Sequence, residues 1–157
     1  MSIAAMYLNL TGVTGECTVD KHVGDIDLVS WSWGMQSSHY ISTGSPSGAA
    51  QFSLITVVKR FDRATPTLFQ FLDTHKVVSK GTLTVSKSSG GTPLEYVTID
   101  MNNVRIVTVD VRSDNAELVE NVTLSAETIT VNYTPQASGG ALGSAPISFT
   151  AMHPAAQ

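Results

Sequence analysis

Alternation of side-chain character in the segment 26–35 constrains the fold more than any other feature of this sequence. Four apolar residues fall two apart and share one face, with Asp27 at its start: Val29, Trp31, Trp33 and Met35. A period of two residues predicts a β-strand. Because each tryptophan buries a large area, we predict that Trp31 and Trp33 form a core signature. Beyond Leu28 the opposite face is typical of a lining or a close-contact surface, since Ser30, Ser32 and Gly34 are small and uncharged.

Further strand-like runs cover most of the chain, and several of them change phase by one residue. Within 94–111 the apolar parity changes twice, which separates three sets: Val97, Ile99 and Met101, then Val104 and Ile106, then Val107, Val109 and Val111. Another change separates Ala126 from Ile129. β-Bulges produce slips of this kind and bend strands into barrels. The sequence therefore predicts a mainly β fold, a small β-barrel of two curved, mostly antiparallel sheets.

Turn and cap residues place the remaining elements. Thr65 is a suitable N-cap and Pro66 suits a first helical position, so we predict one short flanking α-helix at about residues 66–74. A Ser-Ser-Gly-Gly turn at 88–91 predicts a hairpin. The sequence after Pro135 is rich in Gly, Ala and Ser. We expect one domain over residues 1–136 and a tail over 137–157, in which 147–152 is a candidate short edge strand.

Composition excludes several classes of partner. Charged residues make up 14% of the chain, against roughly 25% in typical soluble domains. The nine Lys and Arg residues are scattered and the net charge is −4, so we expect no nucleic-acid binding. The start of the chain lacks a signal-peptide pattern, and no run of about 18 apolar residues predicts membrane insertion. We expect a cytoplasmic chain that leaves the cell, if at all, without a signal peptide.

The residue types that carry catalysis or bind metals are present but not arranged for either. The four histidines have no metal-ligand spacing, and surface or loop positions are the favoured interpretation: His22, His39, His75 and His153. Asp25 and Asp27 flank Ile26 as a weak candidate for paired carboxylates. The single cysteine, Cys17, excludes an intrachain disulfide. We therefore expect no catalytic residue, no metal and no cofactor.

Ordered motifs resemble a known family. The segment 25–35, which reads DIDLVSWSWGM, resembles the signature of Hcp, the haemolysin-coregulated tube protein of bacterial type VI secretion systems. Four later segments are similar to that family in the same order: 62–68, Gly90-Gly91 followed by 94–99, 120–124 and 131–136. Together these matches span roughly residues 3 to 136.

The resemblance implies a β-barrel subunit that forms homo-hexameric rings, which stack into the inner tube of the secretion system. It also implies a spike protein, a contractile sheath and small effector proteins as partners, with the tube cytoplasmic when assembled and then secreted. Combined with the alternation of the strand, it makes Ser30 and Ser32 the candidates for the lumen wall. The candidates for ring stacking lie in the long Gly/Ser-rich loop: Ser38, His39, Tyr40, Ile41, Ser42 and Thr43.

Two parts of the sequence depart from the family pattern, and other functions stay open. The stacking loop contains Tyr40 and Ile41 where Gly and Ser are expected, and the tail lacks the family's aromatic and charged residues. A phage-like tail tube protein is the nearest alternative. A monomeric β-sandwich binding module and an enzyme are weaker alternatives, and they would require exposed tryptophans or two histidines beside an acid, respectively.

Overall fold

Nine strands and one helix make up the fold within residues 3–37, 50–89, 92–136, 143 and 145–152, the part of the chain that this computed structural model describes. In chain order they are β1 (Ile3–Leu10), β2 (Ile26–Ser32), β3 (Met35–Gln36), β4 (Gln51–Phe52), β5 (Ile55–Arg60), α1 (Ala64–Asp73), β6 (Val78–Ser89), β7 (Thr92–Asp114), β8 (Glu117–Tyr133) and β9 (Ile147–Met152).

Six strands close into a barrel. Their order is β5-β2-β1-β6-β7-β8, and β5 pairs in turn with β8 to close the circle. Every pairing is antiparallel. Strand β9 extends the sheet beside the far end of β8, while β3 and β4 form a separate small sheet. The predicted mainly β barrel with one flanking helix is therefore confirmed, with the strands joined in one closed barrel rather than split between two sheets.

A bulge in β2 corrects the predicted face of the tryptophan strand. Ile26 and Leu28 point into the barrel, and the β2–β5 register then shifts between Leu28 and Ser30. The extra residue, Val29, is 41% exposed, and Met35 is 42% exposed. The prediction that these two share a buried face with the tryptophans is wrong. Val29 is the bulged residue, where the core face of β2 changes from even to odd positions, and Met35 lies beyond β2 in the separate small sheet of β3 and β4.

The long hairpin of β7 and β8 contains the predicted phase slips. One slip is a bulge between Ile106 and Thr108. The other lies at Asn103, which has a positive φ of 52° and donates a hydrogen bond from Nδ2 to Glu127 Oε2 at 2.5 Å. Here β7 and β8 each have two successive side chains that are not buried. The core-facing positions therefore change from odd to even along β7, between Met101 and Val104, and from even to odd along β8, between Ala126 and Ile129. The hairpin is thereby bent around the core, and the prediction of bulges is confirmed at the first site.

Helix α1 begins earlier than its cap residues suggest. It starts at Ala64, so Thr65 is not the N-cap and Pro66 is the third helical residue rather than the first. Asp62 accepts a hydrogen bond from the Ala64 amide at 3.0 Å, and the Thr65 hydroxyl is used inside the protein instead. The helix docks on the barrel through Leu68 and Phe71.

Both elements predicted from turn signals are present. Strands β6 and β7 pair as a hairpin up to Ser89 opposite Thr92. The candidate edge strand at 147–152 is β9. The division into a domain of residues 1–136 and a tail of 137–157 stays a prediction.

Candidate functional site

Ser30 and Ser32 lie on the outside of the barrel wall. Both are exposed, and Trp31 between them points inward. Trp31 and Trp33 are each half-buried and pack against the core, where the Trp33 ring meets Phe52 at 6.1 Å between centroids. The strand thus separates a core side from a polar outer side after its bulge.

The two serines belong to a polar surface that crosses four strands. One row runs in register from Ser32 on β2 through Thr56 and Thr123 to Thr108 on β7, and the last two hydroxyls are 2.6 Å apart. The next row runs from Ser30 through Val58 and Asn121 to Asp110. We call these eight residues the polar wall. Their side chains are short, and Asp110 carries the only charge among them.

The inner face of the same strands is apolar except for one buried ionic cluster that the sequence reading missed. Lys59 and Glu120 face each other across β5 and β8, and both are completely buried. The Lys59 ammonium donates to Glu120 Oε1 at 2.5 Å and to Thr65 Oγ1 at 3.1 Å, and it forms an ion pair with Asp62 Oδ1 at 2.8 Å. The Thr65 hydroxyl donates to Glu120 Oε2 at 2.9 Å. The cluster ties the start of α1 to the barrel wall.

A second polar cluster surrounds His22, which lies in the loop between β1 and β2, one of the two predicted kinds of position, but is buried there rather than exposed. His22 Nδ1 lies 2.8 Å from Asp25 Oδ2, and Nε2 lies 2.5 Å from Glu95 Oε1. The imidazole stacks on Tyr7 at 4.1 Å between ring centroids. Burial by itself lowers the pKa of His22, but hydrogen bonds to Asp25 and Glu95 outweigh burial and raise it above its ordinary value.

Two further titratable side chains near His22, the phenol of Tyr7 and the thiol of Cys17, have raised pKa values and stay neutral. Burial is the main reason that the pKa of Tyr7 is raised, followed by the negative field of neighbouring groups. Burial likewise raises the pKa of the Cys17 thiol. Asp27 is exposed, so it does not join Asp25 as a carboxylate pair. Within the described residues no group of three His, Cys, Asp or Glu side chains is arranged to hold a metal ion.

Strand β9 presents an apolar outer edge. Ile147, Phe149 and Met152 are 66%, 53% and 68% exposed, whereas Ala151 is buried. Hydroxyl and amide contacts fasten the strand to β8, with Thr130 Oγ1 and Thr150 Oγ1 2.9 Å apart and Ser148 donating to Asn132 Oδ1 at 2.6 Å. Exposed apolar side chains on a strand at the edge of a sheet are typical of a surface that meets another protein.

The candidate stacking residues, Ser38, His39, Tyr40, Ile41, Ser42 and Thr43, lie outside the described residues. Among the described histidines, His75 is exposed at the end of α1 and is far from the His22 cluster in the chain. No helix in the described part of the chain is both long and apolar enough to cross a membrane.

Comparison with known proteins agrees with this architecture. The family model described as "Type VI secretion system effector, Hcp" matches residues 7–133. Protein hcp1 of Pseudomonas aeruginosa is 30% identical over 148 residues, which cover 92% of this chain and 91% of that protein. Hcp1 from Salmonella typhimurium has a TM-score of 0.78 at 24% identity, with 97% and 95% of the two chains covered. A type VI secretion system effector from Yersinia pestis has a TM-score of 0.77 at 23% identity, with 94% and 99% covered. The two structural likenesses concern the fold alone.

Proposed function

We propose, from the premise that this chain belongs to the Hcp family of type VI secretion proteins, that it is a structural subunit of the secretion tube. Six copies form a closed ring, and rings stack into a hollow tube that assembles in the cytoplasm and is then exported. The family match over residues 7–133 carries this proposal. By family resemblance its partners are the spike, the contractile sheath and small effectors held in the lumen.

The polar wall supports the assignment of Ser30 and Ser32 to the lumen. Its side chains are short, and hydroxyl, amide and valine groups outnumber its one carboxylate. A surface of this kind can form hydrogen bonds with many cargo proteins, and because it carries little charge it does not select cargo of one particular charge. Six copies arranged around an axis would repeat the wall six times and give a passage with the same chemistry on all sides.

The apolar side chains of β9 support a contact between neighbouring subunits. Closed rings use a surface on one subunit that fits a different surface on the next, and such contacts exclude water from apolar groups. Ile147, Phe149 and Met152 are exposed in the single chain and would lose that exposure in a ring. The loop residues Ser38 to Thr43 remain the proposed contact between rings.

No catalytic role is part of this proposal. The alternative of a monomeric β-sandwich binding module requires exposed tryptophans, whereas Trp31 and Trp33 are half-buried. The enzyme alternative called for two histidines beside an acid, and in the described part of the chain His22 alone meets acids. The phage-like tube shares the assembly but not the family that the comparisons match.

Export tests the proposal in the native host. A tagged copy of the chain should appear in the culture medium when the sheath is intact and disappear when the sheath gene is deleted. Equal release from both strains, with no lysis marker in the medium, would contradict a role in the tube.

The lumen assignment has its own test, with a matched control. Ser32→Gln should leave ring formation intact, because the side chain points away from the core, and should lower the amount of effector that is exported with the tube. Ser79→Gln alters an exposed serine on β6, outside the polar wall, and should leave both properties unchanged. Loss of rings in the Ser32 variant alone would show that this face belongs to a subunit contact.

A further inference from the structure

The segment 11–25 joins β1 to β2; its start is anchored to the barrel, where Thr11 donates to the Lys80 carbonyl of β6 and Val13 packs in the core, and the rest is folded largely on itself. Backbone hydrogen bonds join Gly15 to Gly24, Gly24 to Cys17 and Asp25 to His22, all within the segment. Asp25 is also held to the barrel, because it accepts a hydrogen bond from the Asn9 amide on β1 at 2.8 Å. The link to β7 is the contact of His22 with Glu95, residues that are 73 positions apart in the sequence.

We propose that His22 is a protonation-dependent clasp, which ties the segment 11–25 to β7 only while its imidazole carries both ring protons. Each ring nitrogen faces a carboxylate oxygen, at 2.8 Å for Asp25 and 2.5 Å for Glu95. An imidazolium donates from both nitrogens and satisfies both contacts with charge-assisted hydrogen bonds. A neutral imidazole has one N–H, so one of its nitrogens then turns a lone pair toward a carboxylate oxygen.

Geometry decides which of the two contacts breaks. The Asp25 side chain is 9% exposed and is fixed by Asn9, whereas the Glu95 side chain is 41% exposed. A cavity of about 410 Å³ lies beside the contact, lined by Tyr7, Val19, His22, Ser86 and Glu95 among others, so Glu95 has room to move away. Loss of the second ring proton therefore releases Glu95 and leaves His22 donating to Asp25.

The sign of the effect follows from the surroundings of the imidazole. The pKa of His22 is raised in the folded protein, so the clasp is complete below the ordinary histidine pKa of about 6.5 and is lost as the pH rises through the raised value. The raised pKa values of Tyr7 and Cys17 keep the phenol and thiol neutral over the same range. The titratable and charged groups around the clasp are Asp20, Lys21, Cys17 and Asp25 on the segment, Tyr7 on β1, Asp27 on β2 and Glu95 on β7.

Hydrogen exchange measured by mass spectrometry tests the clasp in the full chain. We expect the protection factor of peptides within 11–25, corrected for intrinsic exchange, to fall about tenfold between about pH 6 and about pH 8.5. A factor of ten corresponds to roughly 1.4 kcal/mol, less than one charge-assisted hydrogen bond supplies. Peptides from the core of β8 should keep the same protection at both pH values.

Two variants separate the clasp from a general effect of pH. Glu95→Gln should abolish the pH dependence, because the amide can accept from an imidazolium or donate to a neutral imidazole. His75→Gln removes an exposed histidine and should behave like the unaltered chain. Equal protection of 11–25 at both pH values in the unaltered chain would overturn the proposal. So would a tenfold fall that persists in Glu95→Gln, or one that spreads equally to β8.

Discussion

Removing the positive charge of Lys59 is the sharpest perturbation of the folded subunit. Lys59→Met keeps a long side chain inside the barrel but leaves Glu120, which is completely buried, facing Asp62 with no cation between them. In the native protein the ammonium donates two charge-assisted hydrogen bonds and forms an ion pair with Asp62, so the substitution removes three polar contacts at once. Breaking one partner of a buried ion pair costs about 3–5 kcal/mol, and we expect a loss in that range.

A double substitution distinguishes lost attraction from an uncompensated charge. Lys59→Met with Glu120→Leu replaces both buried charges by apolar groups, and such exchanges are often close to neutral. Asp62 then keeps access to water, since its side chain is 11% exposed. We therefore expect the double variant to be more stable than Lys59→Met alone by at least about 2 kcal/mol, a coupling within the range found for contacting residues.

Urea unfolding followed by tryptophan fluorescence measures both variants, because Trp31 and Trp33 are half-buried against the same core. The free energy of unfolding is taken by linear extrapolation at matched protein concentration. A loss under about 1 kcal/mol for Lys59→Met, the level of an exposed salt bridge, would refute the reasoning. Additive losses in the double variant would refute it as well.

Three further predictions follow from packing. Gly15→Ala should cost about 2 kcal/mol or more in urea unfolding, because the added Cβ would lie 2.3 Å from the Asp25 carbonyl oxygen. The control Gly34→Ala adds a Cβ with nothing within 4 Å and should change the free energy of unfolding by less than about 1 kcal/mol. Equal losses in the two variants would contradict the close approach at Gly15. Leu124→Ala should cost about 2–5 kcal/mol, since Leu124 is completely buried, while Leu54→Ala at a 44% exposed position should cost under about 1 kcal/mol by the same assay. A chain that ends at Pro146 lacks the six β8–β9 pairs, each worth roughly 0.2–1 kcal/mol, and should lose roughly 1–6 kcal/mol of stability. While folded it should fail to form rings on a sizing column; intact rings would exclude β9 from the subunit contact.

The sequence predicted the strands and the barrel because alternation and phase slips are local signals. Where local signals conflicted with tertiary contacts, the prediction failed. Thr65 has the chemistry of an N-cap, but its hydroxyl is used by Glu120, which is 55 residues away. The bulge at Val29 does leave a signal, because apolar residues lie at even positions up to Leu28 and at odd positions from Val29 onward, but the prediction treated the segment as one unbroken alternation.

The buried clusters were missed for two different reasons. Lys59 carries a readable signal, since it shares the parity of Ile55 and Val57, and a lysine on the core side of a strand calls for a buried partner. The spacing of His22 and Asp25 is consistent with a turn, but Glu95 joins them through the fold alone. Alternation predicted that Ser30 and Ser32 point away from the core, and both are exposed on the outer wall; their proposed place in a lumen depends on assembly, which one chain does not contain.

The mass of the purified protein in solution tests the central proposal most directly. Static light scattering at micromolar concentration should give a particle of six times the 16.7 kDa chain mass, or an integral stack of such rings. A particle of one chain mass over the whole concentration range, with the barrel folded, would contradict the assignment of this chain to a ring-forming tube.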